Sequence, residues 1–260
     1  MNELENLDYC IEYLARQDGI EVPKADTPAE KRLMMRALMN VWQPQELDAA
    51  YQVAQDAELQ RQLKEKGVVS LEEIEGEGQL LLWQGDIARL KIDAIVNAAN
   101  SMGLGCWQPL HACIDNVIHS AAGLQLRTEC AKVLAGGELA TGAAMITRGY
   151  NLPASYVVHT VGPIIATGVP SAEQEEQLAS CYRASMQVAG EKGCGSIAFC
   201  CISTGVFHFP NQRAAEIAVA TVKECEERAA KGEMKVPEKV VFNVFKDIDY
   251  DIYAKLLGEG

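Results

Sequence analysis

Hydrophobic residues in the first part of the chain, residues 1–75, recur at the spacing of amphipathic helices. In the segment TPAEKRLMMRALMNVWQP, Leu33 and Ala37 fall four residues apart on one helical face. Thr27 and Glu30 have the spacing of a capping box directly before this pattern, which marks where a helix begins. A second amphipathic segment follows, and we predict a helical N-terminal extension over the whole stretch.

From about residue 79 onwards, short apolar runs alternate with long segments of helical period. The runs are LLLW, DAIVN, AAMIT, YVVHTV, SIAFCCI and KVVFNVF, and they are apolar on both faces, as buried parallel strands are. This alternation predicts an α/β fold for residues 76–260, a three-layer α/β/α sandwich around a mixed, largely parallel sheet. Ligands of such sheets bind beyond the carboxyl ends of the strands, so we expect the functional site at that edge.

Composition and charge narrow the classes of function. The chain has 260 residues, of which 48% are hydrophobic and 23% charged, as in ordinary globular proteins. Its net charge of −13 argues against sequence-independent binding to nucleic acid, although backbone N–H groups can still hold a phosphate. No apolar run reaches transmembrane length, the start MNELENLDYC lacks a signal-peptide pattern, and nine cysteines are too few for a disulfide framework. We therefore expect a cytoplasmic protein that binds neither nucleic acid nor membranes.

The segment GCWQPLHAC follows the strand DAIVN and contains Cys106, His111 and Cys113. Two thiolates and one imidazole suit zinc, and three protein ligands leave the fourth tetrahedral position open, as in catalytic sites. Pro109 restricts the loop between the first two ligands. A second interpretation is that the cysteines are small buried hydrophobic residues and the histidine is incidental. The spacing alone leaves both interpretations open.

Further candidate residues follow this loop and the strand SIAFCCI. Asp115 lies near the start of a helix, where it either stabilises the helix end or positions a water or hydroxyl for attack. His119, one turn later, is interpreted as a packed residue, and His159 in YVVHTV as a strand residue with a satisfied hydrogen bond. In STGVFHFP, a turn at Gly205 with successive free N–H groups suits a diphosphate. The cysteines in predicted strands and helices are interpreted as inert packing thiols: Cys181, Cys194, Cys200, Cys201 and Cys225.

Five segments together point to a known family. GDIARLKIDAIVNAAN, CIDNVIHSAAG, TGAAMITRGYNLPASYVVHTVGP, STGVFHFP and VFNVFKDIDYDIY occur in the order of a macrodomain, over residues 85 to about 257. The sequence resembles the ADP-ribose-binding macrodomain family. Its C-x4-H-x-C loop and helical extension resemble the zinc-containing bacterial and fungal branch, which consists of protein-ADP-ribose hydrolases. The resemblance implies one Zn²⁺ ion per chain, held by Cys106, His111 and Cys113.

The resemblance also implies roles for individual residues. Asp86, beside the Ile87 backbone, is expected to bind the adenine amino group, and Phe245 to lie against the adenine face. Asn100 is expected to hydrogen-bond the distal ribose and to take part in catalysis with Asp115, which falls at the family's catalytic position. The loop over the diphosphate and distal ribose is expected to consist of Ser203, Thr204, Gly205, Val206 and Phe207.

Two departures from the family pattern stand out. GCWQPLHAC replaces the run of glycines that usually precedes Asp115. Glycine allows close backbone approach to phosphate, so its loss puts the ordinary contact of this loop in doubt and suggests that the metal shapes this wall. His208 stands where many relatives have Gly, and it either narrows the site near the distal ribose or lies at the surface.

The expected function is hydrolysis, the removal of mono-ADP-ribose from modified proteins, with an Asp or Glu ester as the expected linkage. The zinc-bearing loop would lie next to the distal ribose, an ADP-ribosylated protein would be the substrate, and ADP-ribose the product of a monomeric enzyme. Three alternatives stay open: a reader module that binds ADP-ribose without catalysis, a hydrolase of a small ADP-ribose derivative, and a thiol redox or structural zinc protein. The reader would share the residues of the nucleotide pocket, so these residues do not separate it from the hydrolase.

Overall fold

The structure, a computed structural model, describes residues 2–76, 78–166 and 168–258. The chain opens with three helices: α1, Glu3–Asp18; α2, Pro28–Val41; and α3, Ala49–Lys66. The Thr27 hydroxyl accepts a 3.2 Å hydrogen bond from the Glu30 backbone N–H. The Glu30 carboxylate accepts one of 3.0 Å from the Thr27 N–H, so the predicted capping box is confirmed.

The strands follow in chain order: β1, Val69–Ser70; β2, Leu80–Gln84; β3, Leu90–Lys91; β4, Ala94–Ala98; β5, Ala144–Arg148; β6, Tyr156–Thr160; β7, Ser196–Phe199; and β8, Lys239–Val244. Six of them form one sheet in the order β2-β8-β7-β4-β6-β5. Every neighbouring pair is parallel except β5 and β6 at one edge. The mixed, largely parallel sheet predicted from the apolar runs is therefore confirmed. β1 and β3 form a separate short parallel pair.

Helices pack around this sheet: α4, Ile114–Ala122; α5, Leu124–Leu134; α6, Ala172–Lys192; α7, Asn211–Ala230; and α8, Asp247–Leu257. α4 packs on α5 and β4, whereas α6, α7 and α8 pack side by side. The helical pattern between β4 and β5 is not one helix, because Gly123 has a φ of 96°, which ends α4 before α5 begins. In the described ranges, no helix combines the length and the apolar character that crossing a membrane requires.

Apolar side chains form two clusters. The larger one joins the sheet to its helices and includes Ile95, and the smaller one joins α1, α2 and α3 through residues such as Leu7. Full burial of a side chain of this size stabilises the fold by roughly 1.5–3 kcal/mol. Leu124 of α5 belongs to the smaller cluster, so the N-terminal helices pack directly against the sheet domain. Helix α3 ends at Lys66, before residue 75, where the helical extension was predicted to end. Ile74, which follows α3, packs in the larger cluster.

Buried hydrogen bonds also join the N-terminal helices to the sheet domain. Arg127 of α5 donates from Nη1 to the carbonyl oxygens of Asn40 at 3.0 Å and Trp42 at 2.7 Å. Gln55 of α3 donates to Gln125 of α5 at 2.6 Å. These contacts hold α2 and α3 as a fixed wall opposite the carboxyl edge of the sheet.

Candidate active site

A cleft of about 1000 Å³ opens at the carboxyl edge of the sheet, where β2, β4, β7 and β8 end. This volume lies at the upper end of the range for ligand sites, roughly 300–1,000 Å³. Helices α2 and α3 form its opposite wall through residues such as Leu33 and Leu63. The cleft is lined by all the residues predicted for the site: Asp86, Ile87, Asn100, Cys106, His111, Cys113, Asp115, Ser203, Thr204, Gly205, Val206, Phe207 and Phe245.

Cys106, His111 and Cys113 come together at one point of the cleft wall. Sγ of Cys106 lies 3.6 Å from Nδ1 of His111, and the three ligand atoms all lie within 4.8 Å of one another. Zinc bonds of about 2.3 Å to sulfur and about 2.0 Å to nitrogen, at tetrahedral angles, put these two atoms roughly 3.6 Å apart. The donor set and its spacing therefore fit a zinc ion.

Cys113 also begins helix α4. Its Sγ accepts a 3.4 Å hydrogen bond from the backbone N–H of Asn116, as an N-cap side chain does. Burial raises the pKa of the Cys113 thiol to about 11, and the Asn116 N–H opposes this rise. A bound metal ion reverses this preference, since it deprotonates a coordinating thiol. The capping role considered for Asp115 thus belongs to Cys113, and Asp115 lies in the first turn of the helix.

Asp115 lines the cleft but is only 4% exposed. Its Oδ1 accepts a 2.7 Å hydrogen bond from Asn97 Nδ2, and its Oδ2 accepts one of 3.2 Å from Asn100 Nδ2. Nε2 of His119 lies 3.6 Å from Oδ1. Burial raises the pKa of Asp115 to about 6, while the Asn97 hydrogen bond and the charge of Arg127 oppose the rise. A buried carboxylate with both oxygens held and a shifted pKa is more typical of a functional site than of a helix end.

Asn97 is a site residue that the sequence analysis missed. Besides Asp115, its amide nitrogen contacts Nδ1 of His159 at 3.2 Å, and Nε2 of His159 lies 2.9 Å from the Thr147 hydroxyl. His159 is therefore a strand residue with satisfied hydrogen bonds, as predicted, and burial lowers its pKa to about 3. The available signal for Asn97 was an amide in the otherwise apolar strand AIVNA, because a buried amide requires partners.

A second group of metal-type ligands lies in the described part of the chain. It consists of His119, Cys130 and His159, all buried. Both ring nitrogens of His159 are already engaged in hydrogen bonds, so this donor set does not suit an ion. His119 packs as predicted, under Gly105, where a Cβ would come within 2.8 Å of the histidine Cγ. We therefore assign the group to the packed core.

The other cysteines outside the loop are free thiols. Cys181 and Cys225 lie in α6 and α7, and burial raises the pKa of both to about 11, in agreement with inert packing thiols. Cys194, Cys200 and Cys201 lie just outside the elements to which the pattern assigned them. Cys200 and Cys201 follow β7 and line the cleft.

The loop after β7 presents free backbone donors. The N–H groups of Gly205, Val206 and Phe207 donate to no other residue within the described ranges. Ser203 has a φ of 64°, which is uncommon outside glycine, and its buried hydroxyl has no partner among the described residues. Gly162 packs against it so closely that a Cβ there would lie 2.0 Å from the Ser203 hydroxyl. Successive unpaired N–H groups in a fixed loop suit a diphosphate.

His208 follows this segment and is exposed, in agreement with the surface alternative. Its φ of 57° lies in the left-handed region that favours glycine. Thr204 supports the loop from inside, because its hydroxyl donates a 3.0 Å hydrogen bond to the Cys201 carbonyl.

Asp86 and Phe245 lie at the other end of the cleft. Asp86 caps the short 3-10 helix Ile87–Arg89, and its Oδ1 accepts a 3.1 Å hydrogen bond from the Ala88 N–H. Its Oδ2 lies 3.4 Å from Nζ of Lys66 at the end of α3, a contact that the sequence did not indicate. Phe245 follows β8 and is 77% exposed, so its ring is accessible to a ligand.

Known proteins identify the fold family. Residues 96–218 match the family model described as Macro domain. A protein-ADP-ribose hydrolase of Treponema medium is 47% identical over 268 aligned positions, which cover 99% of this chain and 100% of that protein. The chain belongs to the macrodomain family. A protein-ADP-ribose hydrolase of Staphylococcus aureus strain MRSA252 is also 47% identical, over 85% of this macrodomain chain and 83% of the relative.

Solved macrodomains share the architecture. An Oceanobacillus iheyensis macrodomain mutant with ADPR has a TM-score of 0.60 and 38% sequence identity. The match covers 69% of this chain and 92% of the Oceanobacillus iheyensis chain. The Trypanosoma brucei macrodomain in complex with ADP-ribose has a TM-score of 0.65 and 28% sequence identity. The match covers 90% of this chain and 97% of the Trypanosoma brucei chain. The predicted macrodomain fold is therefore confirmed.

Two arginines of this macrodomain contact the loop 106–113, which carries the three candidate zinc ligands. Neither was singled out from the sequence. The Arg127 guanidinium lies 4.3 Å from the ring centroid of Trp107 in the loop. Arg36 of α2 donates to the backbone carbonyl of His111 at 3.1 Å. Arginines in amphipathic helices usually face solvent, so the sequence pattern gave no signal for either contact.

Proposed function

We propose that this macrodomain is a hydrolase that removes mono-ADP-ribose from modified proteins, with an Asp- or Glu-linked ester as the bond cleaved. Its main support is the buried Asp115, held between Asn97 and Asn100 beside a loop of zinc-type ligands. The hydrolases with 47% identity support the class of reaction. In this proposal the chain is a cytoplasmic monomer that consists of a helical extension, 1–75, and a macrodomain, 76–260.

The cleft provides separate contacts for each part of ADP-ribose. Asp86, beside the Ile87 backbone, accepts a hydrogen bond from the adenine amino group, and the exposed ring of Phe245 covers the adenine face. The diphosphate binds to the free N–H groups of the loop 203–207, which suit an anion even in a chain with a net charge of −13. Asn100 binds the distal ribose, since its buried Oδ1 has no partner among the described residues.

Hydrolysis then takes place at the anomeric carbon of the distal ribose. The oxygen of a water molecule bonds to this carbon, and the bond to the protein carboxyl oxygen breaks, so the carboxylate leaves with the electron pair. Asp115 orients the water or a ribose hydroxyl and accepts the released proton, while Asn100 holds the sugar. The two asparagine contacts keep the carboxylate in one orientation for this task.

Cys106, His111 and Cys113 hold the zinc ion in this proposal, one per chain. When bound there, zinc would supply Lewis-acid chemistry at this wall of the cleft. Two thiolate ligands make the centre formally neutral, which favours orientation of the substrate over activation of water. These three residues and Asp115 all line the cleft, and Cys113 precedes Asp115 by two positions.

The decisive experiment compares wild type with Asp115→Ala. We expect the release of ADP-ribose from an ADP-ribosylated acceptor protein to fall at least about 100-fold, since acid–base groups contribute roughly 10²–10⁴. The Kd of free ADP-ribose, measured by calorimetry, should stay within a few-fold of wild type. Asp93→Ala, at the opposite edge of the sheet, is the matched control. Near-normal turnover in Asp115→Ala would show the assigned chemistry to be wrong, and binding without turnover in wild type would favour the reader.

A further inference from the structure

Arg36 of helix α2 contacts the loop that carries Cys106, His111 and Cys113. Arg36 donates from Nη2 to the His111 carbonyl at 3.1 Å, and from Nη2 and Nε to Asn116 Oδ1 at 2.7 and 3.1 Å. A guanidinium holds two acceptors in fixed directions because its donors lie in one rigid plane. Arg36 thereby binds both the backbone carbonyl of His111 and the side chain of Asn116 in the first turn of α4.

Asn116 links Arg36 to a second point of this loop, the carbonyl of Gln108. Its side chain is fully buried, and its amide donates a 3.0 Å hydrogen bond to the Gln108 carbonyl. Asn40, one turn after Arg36 on α2, accepts a 3.0 Å hydrogen bond from the Leu110 N–H. Three backbone groups of the loop, at 108, 110 and 111, are therefore held directly or indirectly by α2.

Charge supports the same interpretation. Within the described ranges, no carboxylate forms an ion pair with Arg36, although this side chain is half-buried. Asn116, whose side chain Arg36 binds, also donates its backbone N–H to Sγ of Cys113 at 3.4 Å. A desolvated cation without a carboxylate partner, next to a prospective thiolate, compensates the negative charge that two thiolates bring to a metal site.

We propose that Arg36 is a positioning residue for the zinc ligands, through which the N-terminal helices set the geometry and affinity of the metal site. The inference rests on the proposed function, because it takes the Cys106, His111 and Cys113 loop as the zinc site. Groups that orient metal ligands from outside commonly change metal affinity 10–100-fold when they are replaced. The N-terminal extension is then a part of the metal site and not only a covering of the sheet domain.

The test titrates the metal-free full chain with Co²⁺ and Zn²⁺ alone. Cobalt bound by thiolates gives charge-transfer and ligand-field absorption, which reports both affinity and coordination geometry. We expect Arg36→Met to bind Co²⁺ at least about tenfold more weakly than wild type, with altered ligand-field bands. Arg36→Lys keeps the charge but loses the planar arrangement of donors. Its affinity for Co²⁺ should therefore lie between those of wild type and Arg36→Met.

Arg32→Met is the matched control. Arg32 lies one turn earlier on α2 and pairs with Glu3, Glu58 and Glu65 of the N-terminal helices. Its replacement weakens the helical extension without removing a contact to the loop, so its cobalt affinity and spectrum should match wild type. Equal losses in Arg32→Met and Arg36→Met would overturn the inference, because they would indicate general destabilisation.

The outcomes also separate this inference from the proposed function. If wild type binds metal and releases ADP-ribose while both Arg36 variants bind Co²⁺ like wild type, only the role of Arg36 is wrong. If wild type binds neither metal, the proposed zinc site is wrong, and the inference about Arg36 is wrong with it.

At saturating Zn²⁺, Arg36→Met should lower kcat more than it changes KM for the modified protein. Should Arg36→Met not fold, the milder Arg36→Lys decides, and wild-type affinity in that variant overturns the inference.

Discussion

The side-chain amide of Asn97 donates a 2.7 Å hydrogen bond to the buried carboxylate of Asp115, from a strand to the helix beside it. This bond holds one carboxylate oxygen, while Asn100 holds the other. The orientation of Asp115 is therefore set by residues of the sheet and the loop that follows it.

Replacement of Asn97 tests how much this orientation matters. A hydrogen bond to a charged group is worth about 1.5–3 kcal/mol, so we expect Asn97→Ala to lower kcat roughly 10–100-fold with little change in ADP-ribose affinity. Single-turnover release from a modified protein and calorimetry measure the two quantities. Asn6→Ala removes a buried amide of α1 that donates to the Ala54 carbonyl, and it should keep wild-type kcat. An unchanged kcat in Asn97→Ala would speak against an orienting role.

Metal content separates the two groups of metal-type ligands. We expect Cys113→Ser to lose most of its bound zinc, because it removes one of three ligands, and to lose turnover with it. Cys130→Ser alters only the buried group and should keep one zinc per chain. Elemental analysis of the purified variants measures the ratio. The reverse pattern, with zinc retained in Cys113→Ser and lost in Cys130→Ser, would place the ion in the core group. Chelation of wild type should reproduce the loss of turnover.

Phe245 tests the adenine end of the cleft. Stacking of a base on an aromatic side chain is worth about 1–3 kcal/mol, so Phe245→Ala should raise the Kd of ADP-ribose roughly 5–150-fold. The melting temperature should change little, because the side chain is 77% exposed in the absence of ligand. Ile248→Ala removes another exposed apolar side chain nearby and serves as the control. Equal affinities of Phe245→Ala and wild type would remove this residue from the site.

Acid should destabilise the protein through His159. Burial lowers the pKa of this residue to about 3, whereas a histidine in the unfolded chain titrates near about 6.5. The unfolded state therefore binds a proton that the folded state does not. The contribution to stability is complete above about pH 6.5 and is lost as the pH falls toward about 3. From this residue we expect the free energy of unfolding to fall by about 1.4 kcal/mol per pH unit between roughly pH 6 and 4.

Urea unfolding of the metal-free chain at several pH values measures this slope. Other groups titrate in the same range, among them Asp115, whose raised pKa adds stability on acidification. The comparison is therefore between variants. His159→Gln should have a shallower slope than wild type by the stated amount, and His208→Gln, at an exposed position, should not. Identical slopes in all three proteins would contradict the expectation.

Much of the fold was predictable because its signals are local. The apolar runs gave the strands, and the capping box at Thr27 marked the start of α2. The break at Gly123 was less visible, since a glycine inside a helical pattern either continues the helix or ends it, and only the backbone conformation decides. After Lys66, β1 pairs with β3, a contact that periodicity does not encode.

For the candidate site, the motif residues and the edge of the sheet were predictable, but the residues that hold them were not. Arg36 lies 80 positions before Asn116, and Asn97 lies 18 before Asp115. Such partners are fixed by tertiary packing, and the sequence alone shows only a charged residue in a helix and an amide in a strand. The roles of the lining residues stay predictions until the variants above are measured.

One sulfur atom joins two parts of this architecture. Sγ of Cys113 is the cap of the helix whose second residue is Asp115. Two residues of chain span at most about 7 Å, so a group attached covalently to this sulfur lies close to the first turn of α4, which carries Asp115. We therefore expect alkylation or oxidation at this single atom to shift Asp115, the proposed acid–base group, even in a molecule that remains fully folded.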